Sequence, residues 1–190
     1  ADFTGMQTRK NALFKLTSEG QLAAKHNKIV DGTCSSFYLT DKEDFSNADW
    51  DFTATKAAYD RSKTSKGGTV LLPYAVQSGE DIQFYELKSV TTTEGETTGR
   101  MVLSSTPSLA AGTPGVFYKK NDAATSVKFS ADNVAVDKDK ASYRIETGAT
   151  DWNLDATYLN VVLSAQTSAD ELYYISKDKF WHATNNLTVA

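Results

Sequence analysis

The chain has 190 residues, of which 40% are hydrophobic and 11% aromatic, so it can bury one substantial core and we predict a single domain over residues 1–190. Its 24 acidic and 20 basic residues give a formal net charge of -4, and the absence of a dense Lys/Arg run excludes a nucleic-acid-binding domain. The one cysteine, Cys34, cannot form an internal disulfide. No apolar run approaches the roughly 18 residues that a transmembrane helix needs.

Hydrophobic residues alternate with polar ones along most of the chain, and this period of two residues indicates β-strands. In chain order we predict strands at Leu13 to Leu16, Thr33 to Thr40, Phe52 to Ala54, Thr69 to Val76, Asp81 to Val90, Arg100 to Leu103, Val116 to Tyr118, Ser126 to Phe129, Ser142 to Glu146, Tyr158 to Leu163, Leu172 to Ile175 and Phe180 to Ala183. Turn sequences such as Asp31-Gly32 and Ser78-Gly79 separate them.

Many short strands separated by turns predict an all-β fold, an antiparallel β-sandwich of the jelly-roll or Greek-key type. The segment from Asn47 to Ala58 contains several apolar residues without a helical stripe, so we expect at most one short helix. Pro73 cannot donate a hydrogen bond to a sheet and marks an edge, a bulge or the exit of a strand.

Five short motifs follow one another from Thr33 towards the C-terminus. They are Phe37-Tyr38-Leu39-Thr40-Asp41, Phe52-Thr53-Ala54, Tyr59-Asp60-Arg61, Leu71-Leu72-Pro73-Tyr74 and Ala111-Gly112-Thr113-Pro114. In this order they resemble the LTD, FTA, YxR, LPF and AGTP series of a module found in secreted and cell-surface adhesion proteins of Bacteroidetes. Two positions depart from that series: Tyr74 stands where Phe is usual, and Gly115 stands where an aromatic residue often follows the proline.

The resemblance implies an extracellular, cell-surface module that is not an enzyme and that serves adhesion or assembly by binding a surface protein or a glycan. A carbohydrate-binding accessory module and a structural subunit of a surface assembly are the alternatives. The resembling proteins continue into a further strand, so we expect a final C-terminal strand to be missing here, which would favour strand-mediated self-association. The chain begins at Ala1 without a signal peptide, and we expect that a targeting segment has been removed.

Few residues could carry catalysis or hold a metal. His26 and His182 are the two histidines, and no Gly-x-Ser-x-Gly motif accompanies them, so we predict no catalytic residues. We expect His26, within a polar run, to be solvated. Cys34 with two distant histidines lacks the spacing of a zinc site, and we predict no metal and no cofactor. The acid-rich stretch from Asp41 to Asp51 leaves calcium open, with solvated loop carboxylates as the alternative.

The tryptophans are the best candidates for ligand binding. A tryptophan on an exposed loop can stack on a sugar ring, and Asp151 and Asn153 flank Trp152 with hydrogen-bonding groups. We therefore predict a ligand site at Trp152, Asp151 and Asn153, with Trp50 as a further contact. Burial in the core is the alternative interpretation, and it is stronger for Trp181.

Overall fold

A computed structural model describes residues 10–22, 26–41, 43–62, 66–92, 99–139, 143–146, 153–156, 158, 161–163, 173–176, 179–182 and 187–189. The strands of the first half are β1 Phe14–Leu16, β2 Lys28–Val30, β3 Thr33–Cys34, β4 Phe37–Thr40, β5 Phe52–Ser62, β6 Gly67–Val70, β7 Val76–Gln77, β8 Ile82–Thr92 and β9 Gly99–Thr106. Those of the second half are β10 Ser108–Leu109, β11 Gly115–Lys119, β12 Ser126–Val136, β13 Tyr143–Glu146, β14 Asn153–Ala156, β15 Val161–Leu163, β16 Tyr173–Ser176, β17 Lys179–His182 and β18 Leu187–Val189.

The predicted all-β sandwich is confirmed, and in the described residues the one helical element is a single 3-10 turn at Glu19–Gln21. The first large sheet has six strands in the order β1-β2-β3-β5-β12, with β4 also pairing with β5. The second has four strands in the order β6-β11-β8-β9. Smaller ladders join β7 to β10, β13 to β14, β15 to β18 and β16 to β17.

Most ladders are antiparallel, as predicted, but three ladders in the first sheet are parallel: β1 with β2, β3 with β5, and β4 with β5. Strands β3 and β4 continue one another, because both pair with β5 at the same offset of 20 residues, from Thr33 opposite Thr53 to Thr40 opposite Asp60. The first motif segment, Phe37 to Asp41, therefore lies beside the third, Tyr59 to Arg61, in one sheet.

The hairpin between β2 and β3 follows directly from its turn sequence. Val30 pairs with Thr33, and the two residues between them, Asp31 and Gly32, have φ angles of 48° and 73°. Two consecutive positive φ angles define the type I′ turn that Asp-Gly favours. The predicted turn at Asp31-Gly32 is thus present, whereas β2 itself is too short for an alternating pattern to reveal it.

Aromatic side chains fill the space between the two large sheets. Phe129 of β12 is 1% exposed, and its ring centroid lies 5.1 Å from that of Phe117 and 6.0 Å from that of Phe84, both in the second sheet. Tyr74 is fully buried, and its hydroxyl donates a hydrogen bond of 2.9 Å to the Phe129 carbonyl oxygen. This core binds the sheets to each other and to the segment that follows Pro73.

The predicted strand from Thr69 to Val76 is wrong for residues 71–75. Strand β6 ends at Val70, and β7 begins only at Val76. Leu72 and Tyr74 are buried in the core without being part of a strand. The physical reason is Pro73, which has no N–H for a ladder, so this apolar run serves packing instead.

Strand β5 contains a phase change in its alternation. Ala54 and Ala57 both face the core, and Thr55 and Lys56 between them are both exposed. A strand that keeps its alternation would bury every second residue. This change explains why the sequence pattern predicted only Phe52 to Ala54 of an eleven-residue strand.

The neighbouring strand β12 changes phase at the same level. Asp132 and Asn133 are both exposed, while Ala131 and Val134 on either side pack against the core. Asn133 has a φ of 51°, in the left-handed region that Asn tolerates better than most residues. Because Asp132 pairs with Lys56, the two phase changes lie next to each other and form one line across the sheet, which we call the crease.

Candidate functional site

The face of the first sheet that points away from the core carries a block of polar side chains on β4, β5 and β12. Its register is regular, with Tyr38 opposite Ala58 and Thr40 opposite Asp60. On β12, Lys128 and Ser130 lie opposite Asp60 and Ala58, and at the crease Asp132 lies opposite Lys56. Thr40 itself is buried. We call the following eight residues the polar face: Ser36, Tyr38, Lys56, Ala58, Asp60, Lys128, Ser130 and Asp132.

Tyr38 is the aromatic side chain of the polar face. Its neighbours in sequence, Phe37 and Leu39, are 1% and 4% exposed and point into the core, so alternation directs Tyr38 outward, where it is half-buried. Its hydroxyl donates a hydrogen bond of 2.9 Å to Asp60 Oδ2. This bond to a carboxylate raises the pKa of Tyr38 above its usual value, because ionising the hydroxyl would remove the donor and place two negative charges together.

His26 extends the aromatic surface beside Tyr38. The two ring centroids lie 5.0 Å apart at an interplanar angle of 32°. His26 is exposed, as expected, and its Nδ1 shares a hydrogen bond of 2.8 Å with Ser36 Oγ. The imidazole is therefore held in place from two sides, by a ring contact and by a hydrogen bond, although it lies at the surface.

Two buried asparagines hold β4 in position. The Asn27 Oδ1 accepts from the Tyr38 N–H at 2.6 Å, and its Nδ2 donates to the Tyr38 carbonyl at 2.8 Å. Asn11 makes the same pair of bonds to Thr40, both at 2.9 Å. These amides take the place of a neighbouring strand along the edge of β4. Asn27 also has a φ of 62°, in the left-handed region that Asn tolerates better than most residues.

The charges of the polar face balance. It contains two lysines, Lys56 and Lys128, and two aspartates, Asp60 and Asp132. Lys56, Lys128 and Asp132 are exposed, and Ser130 between them adds an exposed hydroxyl. The short Ala58 side chain lies at the centre, between Tyr38 and Ser130. The result is a surface with one partly exposed ring, many hydrogen-bonding groups and no net charge.

Of the site residues predicted from the sequence, Trp50 is the one whose side chain is described. It is half-buried and packs against the core just before β5, and its backbone N–H donates to Asn47 Oδ1 at 3.3 Å. Asn153 was expected in a loop but belongs to β14, opposite Glu146. Asp151 and Trp152 lie outside the described residues. The ligand site around Trp152 stays a prediction.

Carboxylates in the acid-rich stretch from Asp41 to Asp51 accept hydrogen bonds from distant parts of the chain. Asp41 accepts from the Ser62 N–H at 3.0 Å, Glu43 from the Lys10 N–H at 2.7 Å, and Asp51 from the Lys138 N–H at 2.8 Å. Each of these carboxylates thus satisfies a backbone donor from a distant segment. Among the described residues, no group of three or more His, Cys, Asp or Glu side chains is placed to hold a metal ion.

Sequence reasoning missed the residues that form the polar face. For His26 the sequence predicted only that the side chain is solvated. The outward position of Tyr38 in the alternating run from Phe37 to Thr40 was the available signal. Its pairing with Asp60 was not visible, because it depends on the parallel register of β4 and β5.

Comparisons with known proteins found no counterpart: no family model, curated protein or solved structure matches this chain. The resemblance to Bacteroidetes surface proteins accordingly stays a prediction. In the described part of the chain, no helix has both the length and the apolar character needed to cross a membrane.

Proposed function

We propose that this protein is a non-catalytic binding module whose polar face recognises a glycan. The observation that carries the proposal is the setting of Tyr38: its ring lies on the outer face of a sheet, Asp60 holds its hydroxyl and His26 lies 5.0 Å away. Sugar rings stack on aromatic faces through their C–H groups while their hydroxyls form hydrogen bonds around the ring. A ring fixed by neighbours loses little side-chain entropy on binding.

The charge balance of the polar face favours a neutral ligand. Polyanions such as nucleic acids bind surfaces with clustered Lys and Arg, whereas here Lys56 and Lys128 are offset by Asp60 and Asp132. Carbohydrate hydroxyls both donate and accept hydrogen bonds, so they can use amino and carboxylate groups at once. We therefore propose a neutral oligosaccharide as the ligand class.

Glycan binding would serve the adhesion or assembly role that the sequence resemblance implies, and we propose the extracellular cell surface as its location. The support for that location is the motif series from Phe37 to Pro114. A surface protein as the bound partner is the second candidate, and it would use the same exposed side chains.

A glycan array followed by calorimetry tests the proposal. The array contains neutral and anionic oligosaccharides, and the protein is the full chain, its Tyr38→Ala variant or its Tyr85→Ala variant. Tyr85 is the matched control, because it is also a half-buried strand tyrosine with a ring neighbour, Tyr118 at 5.4 Å, but it lies in the second sheet. We expect Tyr38→Ala to weaken neutral-glycan binding about tenfold or more, while Tyr85→Ala leaves it unchanged.

The outcomes separate this site from the one predicted at Trp152. If a folded Tyr38→Ala variant binds every detected glycan as the unmodified protein does, the polar face is not the site. If Trp152→Ala instead abolishes the binding, the ligand site lies at Trp152. If the array detects no glycan and the chain instead captures a surface protein, the ligand is a protein and not a glycan.

A further inference from the structure

Side chains bond backbone groups on several of the outer strands of the two large sheets. Asn11 and Asn27 cover the edge of β4. On β12, the Tyr74 hydroxyl donates to the Phe129 carbonyl. At β6, the Arg61 Nη1 donates to the Thr69 carbonyl. Bonds of this kind compete with the addition of another strand, and covered edges are one way in which β-proteins limit uncontrolled association.

Strand β9 is the long edge strand of the second sheet. In the part of the chain that the structure describes, it pairs with β8 alone. The carbonyl of Thr106, its last residue, accepts from Ser78 Oγ and Gln83 Nε2, both at 3.0 Å, and the carbonyl of Arg100 near its start accepts from Thr91 Oγ1 at 3.5 Å. Residues 101–105 between them form the open part of the edge. Val102 in the middle of this edge is 40% exposed and is the exposed large hydrophobic residue of the described chain.

The strand is also regular enough to accept a partner. The irregularity in this ladder lies on β8, between Leu87 and Ser89, while Gly99 to Thr106 run without an extra residue. A bulge on an edge strand itself would twist the edge away from a partner. Here the bulge is on the inner strand of the pair, so β9 keeps an uninterrupted row of backbone donors and acceptors.

We propose that two copies of this protein associate by antiparallel pairing of their β9 strands about a two-fold axis at Val102. This register places Val102 opposite Val102 of the second copy and Met101 opposite Leu103. Arg100 lies opposite Ser104, so no like charges face each other. Shifting the register by one residue in either direction replaces an apolar pair with a mixed pair, because Ser104 or Arg100 then faces an apolar residue.

The result would be a closed dimer in which the two four-stranded sheets form one continuous sheet. The polar face lies on the other large sheet of each copy, so the dimer leaves it accessible. Two binding faces on one particle would raise the avidity for a multivalent surface. The dimer itself is independent of the glycan proposal, since it uses a different sheet and different residues.

Sedimentation equilibrium of the full chain over a range of concentrations tests the dimer. We expect a monomer–dimer equilibrium that Val102→Lys weakens about tenfold or more, since two lysines would face each other across the axis. Ser126→Lys is the matched control, because Ser126 is exposed on the other long edge strand, β12. Circular dichroism establishes that both variants are folded.

A cysteine variant gives a second measurement that does not rely on lost affinity. Opposed residues of antiparallel strands have Cα atoms about 4.5 to 5.5 Å apart, which suits a disulfide. Val102→Cys should therefore form a covalent dimer on mild oxidation, while Ser126→Cys and the unmodified protein, whose Cys34 is buried, should not. A protein that stays monomeric at all concentrations, a dimer that is unaffected by Val102→Lys, or equal cross-linking of Ser126→Cys would overturn the proposal.

Discussion

The side-chain amide of Asn27 bonds both backbone groups of Tyr38: it accepts from the N–H at 2.6 Å and donates to the carbonyl at 2.8 Å. An amide side chain has the same donor and acceptor groups as a peptide unit, so it can replace one residue of a neighbouring strand. This pairing satisfies the edge of β4 without an additional strand, and it fixes the backbone of the residue that we place at the centre of ligand binding.

Removing the amide of Asn11, which bonds the backbone of Thr40 in the same way, should destabilise the fold. Asn11 is 4% exposed and Thr40 is 7% exposed, so Asn11→Ala leaves the buried N–H and carbonyl of Thr40 without their partner. We expect a loss of about 2 kcal/mol or more in the free energy of unfolding, measured by chemical denaturation. The control is Asn121→Ala, at an exposed position where the amide oxygen accepts from the nearby Ala123 N–H, with an expected loss below about 1 kcal/mol. Equal losses in the two variants would contradict a special role for Asn11.

The stabilising effect of the Tyr38 hydroxyl should depend on pH. Its hydrogen bond to Asp60 raises the pKa of Tyr38 above 10.0, so the unfolded chain loses this proton at lower pH than the folded protein. The contribution is complete below the unfolded pKa and decreases as the pH rises through the folded pKa. We expect Tyr38→Phe to cost about 1 kcal/mol near neutral pH, with the difference from the unmodified protein shrinking above about pH 10. Denaturation curves of both proteins across this range measure it, and a pH-independent difference would count against the bond.

Position 115 should not accept even a methyl group. A Cβ added to Gly115 would lie 2.6 Å from Leu109 Cδ1 and 2.7 Å from its Cδ2, and Leu109 is 3% exposed. We expect Gly115→Ala to cost about 1 to 3 kcal/mol by overpacking, and Leu109→Ala to cost about 2 to 5 kcal/mol by opening a cavity.

A double-mutant cycle separates this clash from a general effect of the substitution. In the double variant the new methyl group occupies part of the space that Leu109 vacates, so the combined loss should be smaller than the sum of the single losses by about 0.5 kcal/mol or more. Additive losses would show that the two side chains do not compete for one space.

Cys34 should be protected from alkylation in the folded protein. It is fully buried, and this burial raises the pKa of its thiol from 9.0 to about 11. The shift alone lowers the thiolate fraction at neutral pH about 100-fold, and the thiolate is the reactive form. We expect alkylation at least about 100-fold slower in the folded than in the denatured protein, followed by mass spectrometry. Comparable rates in the two states would contradict the burial of this strand.

The departures from the resembled motif series have physical explanations in the fold. Tyr74 stands where the resembled series has Phe, and its hydroxyl supplies the donor for the Phe129 carbonyl, which a phenylalanine could not do. Gly115 stands where that series often has an aromatic residue, and the Leu109 side chain leaves no room for one. Each departure thus coincides with a contact to another part of the chain.

The sequence by itself determined the all-β class, most strand positions in the sandwich and the turn at Asp31-Gly32, because alternation and turn chemistry act between residues a few positions apart. It predicted only the first few residues of β5 and β12, because both strands change phase at the crease. It also missed the polar face. Only the tertiary structure decided which residues meet there, since the contact between Tyr38 and Asp60 depends on a parallel register across 20 residues of chain. Such a register is set by the packing of both strands on a shared core, and no local pattern records it.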